Sequence, residues 1–211
     1  PKVVAKVGEK VKAGSVLMID KNRPEIKFVS PVSGEVTAVN RGEKRKVLSI
    51  VVKPDAQIEY EEFGKKNVAS LQGAEVKEVL LNAGMWPFIK QRPYDIVAAP
   101  LDTPRDIFVS AFYSAPLAPN FDFIVKGQEA DFQTGLNALA KLTNGKVYVG
   151  VRSGSVVSAM KGVEIVEVEG PHPAANVGVQ INHIKPVNKG EVVWTVNPAD
   201  VIVIGRLFNK G

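Results

Sequence analysis

Short apolar runs separated by glycine-containing turns make up the first quarter of the chain. These runs are Val3–Val7, Val16–Ile19, Ile26–Val29, Glu35–Val39 and Val47–Val52. Several short strands joined by tight turns are typical of a small β-barrel or sandwich. The pattern therefore predicts an all-β module that, with its linker, covers residues 1–62.

From residue 63 onward, longer apolar runs alternate with segments of helical spacing. The predicted strands are Ile107–Phe112, Lys146–Val151 and Val163–Val168. Three helices are predicted. The first lies between an N-cap at Ser70 and a stop at Gly84, the second is Asp131–Leu142, and the third begins at Ser153 and runs through Met160. The stretch Met85–Pro93 is interpreted as a loop rich in large side chains. Alternating strands and helices predict right-handed crossovers and a parallel sheet. We expect a Rossmann-like α/β domain over residues 63–211, so the fold class is α/β plus all-β.

The positive charge is concentrated in the first third of the chain. Residues 1–66 contain 14 Lys and Arg against 9 Asp and Glu, whereas residues 67–211 contain 13 of each, giving a net charge of +5. Part of the excess is a cluster of Arg41, Lys44, Arg45 and Lys46. No aromatic residues are interleaved with it, which disfavours nucleic acid as the partner. We interpret the cluster as a solvated loop or a protein-docking face.

Several classes of chemistry are excluded or disfavoured by composition. Cysteine is absent, so disulfides, cysteine nucleophiles and cysteine-ligated clusters are excluded within these residues. Only two histidines are present, eleven residues apart, and no recurrent carboxylate accompanies them as a metal ligand. No apolar run approaches the ~18 residues that a transmembrane helix needs. The chain opens at Pro1 without an initiator Met, and we expect a fragment of a longer chain.

The glycine motifs of dinucleotide-binding and phosphate-binding loops are also missing. No two glycines are separated by a single residue, so the dinucleotide fingerprint is absent. Gly145 and Gly150 have the spacing of a phosphate-binding loop, but Val151 stands where that loop requires Lys. The segment Ser153–Ser155 is interpreted mainly as a helix cap. We assign no catalytic, cofactor-binding or metal-binding residue.

Both histidines lie in one stretch, Val168–Ile184. Gly170, Pro171 and Pro173 predict a rigid turn after a strand, because proline fixes φ. Asn176 then stands where a helix could begin.

The sequence of this turn and the segments that follow it resemble one family. Gly-Pro-His-Pro-Ala is followed by Ile-Asn-His-Ile, Val-Val-Trp-Thr-Val and Asp-Val-Ile-Val-Ile-Gly, which resembles the A subunit of the bacterial sodium-translocating NADH:quinone reductases. A separate block, Ala38–Arg45 with Leu48–Val52 after it, resembles the same family. Two separated blocks agree, and the resemblance covers nearly all 211 residues.

The resemblance implies a cofactor-free peripheral subunit on the cytoplasmic face of the bacterial inner membrane. It implies a contribution to ubiquinone reduction coupled to sodium export, in a complex that passes electrons from NADH to quinone. The implied partners are the other subunits and ubiquinone or menaquinone, the quinone being the substrate of the complex. It also implies an internal fragment that lacks N- and C-terminal parts and is inactive alone.

Two further resemblances bear on cofactors. Residues 7–17 with Ser30–Val36 resemble biotinyl/lipoyl carriers, and Lys21 is the nearest match to their modified lysine. The hairpin here is longer and contains Pro24, so we expect Lys21 to be unmodified. The α/β part resembles complex I flavoprotein subunits, whose glycine-rich and acidic loops bind flavin. The matching segments Asn82–Pro87 and Ser110–Pro116 are neither glycine-rich nor acidic, which implies a scaffold without a flavin site.

The candidate quinone or partner surface consists of His172, Pro173, His183 and Trp86. The histidines could donate protons to a quinone. They could equally be structural, and Trp86 could pack against the sheet. The open alternatives are a purely structural docking module of the complex, or a flavin-binding or carrier protein.

Overall fold

The computed structural model describes all 211 residues, which form two compact units. The first unit comprises Pro1–Phe63 together with Glu78–Pro87, and the second comprises Gly64–Lys77 together with Phe88–Gly211.

The first unit is built from two small antiparallel sheets. Its strands are β1 (Lys2–Val3), β2 (Lys10–Val11), β3 (Val16–Ile19), β4 (Lys27–Val29), β5 (Gly34–Arg41) and β6 (Val47–Pro54). One sheet has the order β1-β3-β4 and the other β2-β5-β6. Val11, Leu17 and Val36 lie buried in their shared core. The all-β prediction is confirmed, although β1 is shorter than the apolar run Val3–Val7.

The second unit is organised around a six-stranded mixed sheet. Its strands are β7 (Ile89–Arg92), β8 (Ile96–Val97), β9 (Ile107–Ser110), β10 (Val147–Val151), β11 (Glu164–Glu167) and β12 (Val193–Val196). The order is β11-β10-β9-β12-β7-β8. Strands β9 to β12 are mutually parallel, and β7 and β8 form an antiparallel edge. Every residue of β9 and β12 is buried, as expected for central parallel strands covered on both faces.

Five α-helices accompany the strands. They are α1 (Gly73–Asn82), α2 (Phe121–Val125), α3 (Glu129–Ala140), α4 (Val177–Ile184) and α5 (Pro198–Lys210). Helix α3 lies two residues earlier than the predicted Asp131–Leu142, and α4 starts directly after Asn176 as predicted. None of the helices is long and apolar enough to cross a membrane.

Three local predictions were wrong. Ser70 does not cap α1, because Asn67 caps a separate 3-10 turn at Val68–Ser70. The helix predicted from Ser153 is only a 3-10 turn, Val156–Ala159, with Ser155 as its cap. The predicted loop Met85–Pro93 contains strand β7, because this segment pairs antiparallel with β12. Because β12 is distant in sequence, the hydrophobic periodicity of Met85–Pro93 does not reveal this pairing.

Helices α3 and α5 approach each other through glycines. A Cβ atom on Gly205 would lie 1.6 Å from the carbonyl oxygen of Asp131, and one on Gly135 would lie 2.1 Å from that of Val201. Only hydrogen fits at these positions, so the two backbones touch directly. The side chain of Asn209 strengthens the contact by donating to Asp131 at 2.7 Å.

Gly205→Ala should destabilise the protein, although alanine is the better helix former. The added methyl must displace the backbone of α3, which we expect to cost about 3 kcal/mol or more. The matched control is Gly178→Ala in α4, where the nearest atom would be 3.8 Å away. There the change should be neutral or stabilising by up to about 1 kcal/mol. Urea unfolding of both variants measures the difference, and equal stability would contradict the close helix contact.

A buried carboxylate ties several elements together at the amino edge of the sheet. Asp106, directly before β9, is 1% exposed and accepts from Arg105 Nε at 2.8 Å and from Lys185 Nζ at 2.7 Å. The Lys146 backbone N–H donates to it at 3.1 Å. Burial opposes ionisation, but these hydrogen bonds and charges outweigh it and hold the pKa of Asp106 below its ordinary value.

Asp106→Asn should lower the free energy of unfolding by about 2 kcal/mol at neutral pH. Because the folded-state pKa is depressed, the contribution of the carboxylate is complete above its unfolded-state pKa and is lost as pH falls through the folded value. The gap between wild type and variant should therefore close in acid. Urea titrations at pH 7 and at about pH 3 test this.

Glu164→Gln is the control for Asp106→Asn, since Glu164 forms an ion pair with Lys146 in which both side chains are about half exposed. It should hardly change stability at either pH. A pH-independent effect of Asp106→Asn would contradict the proposed role of the ionised carboxylate.

Candidate functional site

Three loops leave the sheet at the carboxyl edge of the parallel strands. They are residues 111–120 after β9, 152–155 after β10 and 168–176 after β11, here called the carboxyl-edge loops. The chain runs from β9 outward to β11 and then returns to place β12 on the other side of β9. In open α/β sheets, this reversal of strand order is where ligands bind.

A buried polar network fixes the loop that carries His172. Ser110 donates to the Ala175 carbonyl at 2.7 Å, and Gln180 donates to Ser110 at 2.9 Å and to the Ala174 carbonyl at 3.2 Å. Ser110 and Gln180 are both buried. A Cβ on Gly150 would lie 2.2 Å from Gln180 Oε1, so only glycine leaves room for this amide. The loop is therefore held by groups that cannot easily find other partners.

The His172 imidazole is exposed but held at one nitrogen. Its Nδ1 lies 3.1 Å from Ser114 Oγ, which also accepts from the Ala175 backbone N–H at 3.1 Å. If Ser114 donates its own proton to Nδ1, the neutral ring carries its proton on Nε2. His172 then offers an outward hydrogen-bond donor, with the exposed Pro173 next to it after a cis peptide bond.

A cavity of about 330 Å³ lies between the first two carboxyl-edge loops. Its lining includes Phe112, Tyr113, Asp122, Arg152 and Ser155. The Arg152 guanidinium lies 5.3 Å from the centre of the Phe112 ring and donates to the Tyr113 carbonyl at 3.1 Å. Ser155 donates to Asp122 at 2.6 Å. The cavity thus has a fixed cation and a polar wall, a combination suited to a small polar ligand.

Two titratable groups with raised pKa values meet where β9 and β12 end. Burial raises the pKa of Tyr113, with the Asn197 side chain opposing through a hydrogen bond and the Asp200 charge adding to the rise. Burial also raises the pKa of Asp200, and Lys90 only partly opposes it. Such groups at the end of parallel strands can hold or exchange a proton. Sequence reasoning quoted both residues within longer segments but gave neither a role, since the burial that raises their pKa values is a property of the fold.

The structure does not bring the four sequence-predicted candidates together. His172 and Pro173 share a carboxyl-edge loop. His183 is exposed in the last turn of α4, two residues before Lys185, which contacts Asp106 at the opposite edge of the sheet. Trp86 is completely buried in the first unit, so its ring is not at a surface.

Two observations bear on metal and flavin binding. No group of three or more His, Asp or Glu side chains is placed to hold a metal ion. Gly84, in the segment that matches a flavin loop, ends α1 at positive φ, and a Cβ there would lie 2.5 Å from Val29. This glycine therefore serves helix termination and close packing.

Comparison with known proteins identifies both parts of the chain. The family described as "NqrA N-terminal barrel-sandwich hybrid domain" matches residues 1–55, and "NqrA second alpha/beta domain" matches residues 71–211. Both descriptions confirm the predicted fold class.

Named relatives agree with the two domain families. Proteins named as the A subunit of Na(+)-translocating NADH-quinone reductase are 38% identical in Photorhabdus laumondii, 40% in Hahella chejuensis and 39% in Neisseria meningitidis serogroup A. Each alignment covers 100% of this chain and 48% of the relative, so the chain spans about half the length of these curated relatives. The chain belongs to the NqrA family, that of the A subunit of the Na(+)-translocating NADH-quinone reductases.

Proposed function

We propose that this chain is part of a peripheral subunit of a Na(+)-translocating NADH-quinone reductase, on the cytoplasmic face of the membrane. Its partners are the other subunits of the complex, and it supports reduction of ubiquinone or menaquinone without a tightly bound redox cofactor. The names of its relatives support the assignment to the complex. Because the chain spans about half of those relatives, we expect it to be inactive in isolation.

The observation that carries a role in quinone reduction is the fixed imidazole of His172. A quinone is recognised through its carbonyl oxygens, which accept hydrogen bonds from groups such as an imidazole N–H. Ser114 holds Nδ1 of His172, and in the arrangement described above this leaves Nε2–H free to donate. The loop is pinned by Ser110 and Gln180, so little conformational entropy is lost when a ligand binds.

A purely structural docking role is the second candidate, and exposed apolar side chains favour it. Leu117 is fully exposed and has a positive φ of 61°, and Phe123 is 80% exposed. Both are sequence neighbours of residues that line the cavity. Large apolar side chains held in solvent are typical of surfaces that another protein covers.

His172→Ala in the assembled complex should separate these two roles. If His172 donates to the quinone, its loss should lower quinone reductase activity about a hundredfold or more, the scale of a lost proton donor. Melting of the variant chain should stay near that of wild type, because the removed ring is exposed. His183→Ala is the matched control and should leave activity unchanged.

Other results would overturn the role of His172. Full activity of His172→Ala in a correctly assembled complex would remove the proposed quinone contact and favour the docking role. Strong destabilisation of the variant chain would make His172 a structural residue. Equal losses in His172→Ala and His183→Ala would point to a general effect of charge or assembly.

The purified chain should show no visible flavin band. The segments Asn82–Pro87 and Ser110–Pro116 contain no carboxylate and only one glycine, and Gly84 is used for packing. An absorption spectrum recorded after gel filtration, with and without prior incubation in excess flavin mononucleotide, tests this. Flavin retained in a one-to-one ratio would contradict the proposal that this chain holds no tightly bound redox cofactor.

A further inference from the structure

The hairpin between β5 and β6 ends in a compact, internally bonded turn. Gly42 N–H donates to the Lys46 carbonyl at 2.9 Å, and Lys46 N–H donates to the Glu43 carbonyl at 3.1 Å. Arg41 closes the turn by donating to the Arg45 carbonyl at 3.2 Å. Lys44 and Arg45 have positive φ angles of 52° and 61°, an uncommon conformation for consecutive non-glycine residues. The turn thus has a defined backbone shape, which fixes the Cα position from which each side chain extends.

The cations of this turn are exposed and have no anionic partner. Arg41, Lys44, Arg45 and Lys46 are all exposed, and none forms an ion pair. Other lysines in the same unit form ion pairs with carboxylates, as Lys10 does with Asp55. Glu43 is the only acidic residue within the turn. Four cations within six residues, against the single carboxylate of Glu43, therefore create a local positive potential.

An apolar side chain lies among these cations. Leu48 is 64% exposed, and a Cβ on Gly42 would lie 3.2 Å from its Cδ1 atom. In the strand pairing, Arg41 is opposite Val47 and Asn40 is opposite Ser49, so Leu48 is the extra residue of a bulge. A bulged residue is free of the regular in–out alternation of the sheet. We call Arg41, Lys44, Arg45, Lys46 and Leu48 the basic hairpin tip.

We propose that the basic hairpin tip binds the anionic phospholipid headgroups of a membrane surface. Cations adjacent to an exposed leucine match the layered chemistry of a membrane interface, where phosphates lie above the first acyl groups. Nucleic acid fits less well, because no aromatic residue is present between Val39 and Val52 for base stacking. The surface goes beyond the proposed quinone role and does not depend on the carboxyl-edge loops.

The charge distribution of the whole chain favours the same partner. The entire net charge of +5 arises in residues 1–66, so the part that carries the tip is the basic one. Each cation near an anionic membrane surface increases partitioning about fivefold. The attraction decays within about 8 Å at physiological salt, so only a projecting feature such as a hairpin tip exploits it fully.

Vesicle sedimentation of the 211-residue chain tests the proposal. The chain should bind vesicles of phosphatidylglycerol and phosphatidylcholine, and not vesicles of phosphatidylcholine alone. Binding should weaken as salt is raised. Lys44→Glu with Lys46→Glu should reduce partitioning about 25-fold or more. Leu48→Ser should reduce it about threefold or more without changing the dependence on salt.

The matched control reverses the same number of charges in the same unit. Lys2→Glu with Lys21→Glu changes two exposed lysines outside the tip and should leave most of the binding intact. Unchanged circular dichroism and melting show that each variant is folded. Equal losses in the two double variants, or no binding by wild type, would overturn the proposal. Retained vesicle binding combined with weakened assembly with the other subunits would also overturn it and indicate an acidic protein surface instead.

Discussion

The buried carboxylate of Asp106 is the constraint on which the amino edge of the sheet depends. It joins the start of β9 to the start of β10 through the Lys146 N–H, and to the residue after α4 through Lys185. The backbone carbonyl oxygen of Asp106 accepts from Trp194 in β12. One residue thus organises three parallel strands and a helix. Removing its charge would leave Lys185 without its carboxylate partner, while Arg105 would keep its ion pair with Glu191.

The opposite edge of the same sheet is fixed by neutral groups. Ser110 and Gln180 hold the loop that carries His172, and Gly150 makes room for the Gln180 amide. Arg152 and Asp200, at this edge, take part in no ion pair, so both can interact with a charged ligand or partner.

The two units divide the surface chemistry of the chain between them. The first unit carries the basic hairpin tip on its surface, above a core that includes Val11, Leu17 and Val36. The second carries the cavity, the anchored imidazole and the exposed Leu117. The first unit thus presents cations with an exposed leucine, and the second presents an imidazole, a cavity and an exposed leucine of its own.

The sequence alone determined the elements whose signal is local. Strand β3 was predicted at Val16–Ile19 and helix α3 to within two residues, because periodicity and turn residues are properties of contiguous segments. The fold class followed from the order of those elements. Likewise, the turn at Gly170–Pro173 was visible because proline and glycine restrict the backbone by themselves.

The tertiary structure decided whatever depends on distant partners. Strand β7 exists because Ile89–Arg92 pairs with β12, about a hundred residues later in the chain. Burial of Trp86, the pinning of His172 by Ser114, and the raised pKa of Asp200 likewise arise from groups remote in sequence. Hydrogen bonding and desolvation act over a few ångströms in space, and only the fold determines which residues come that close.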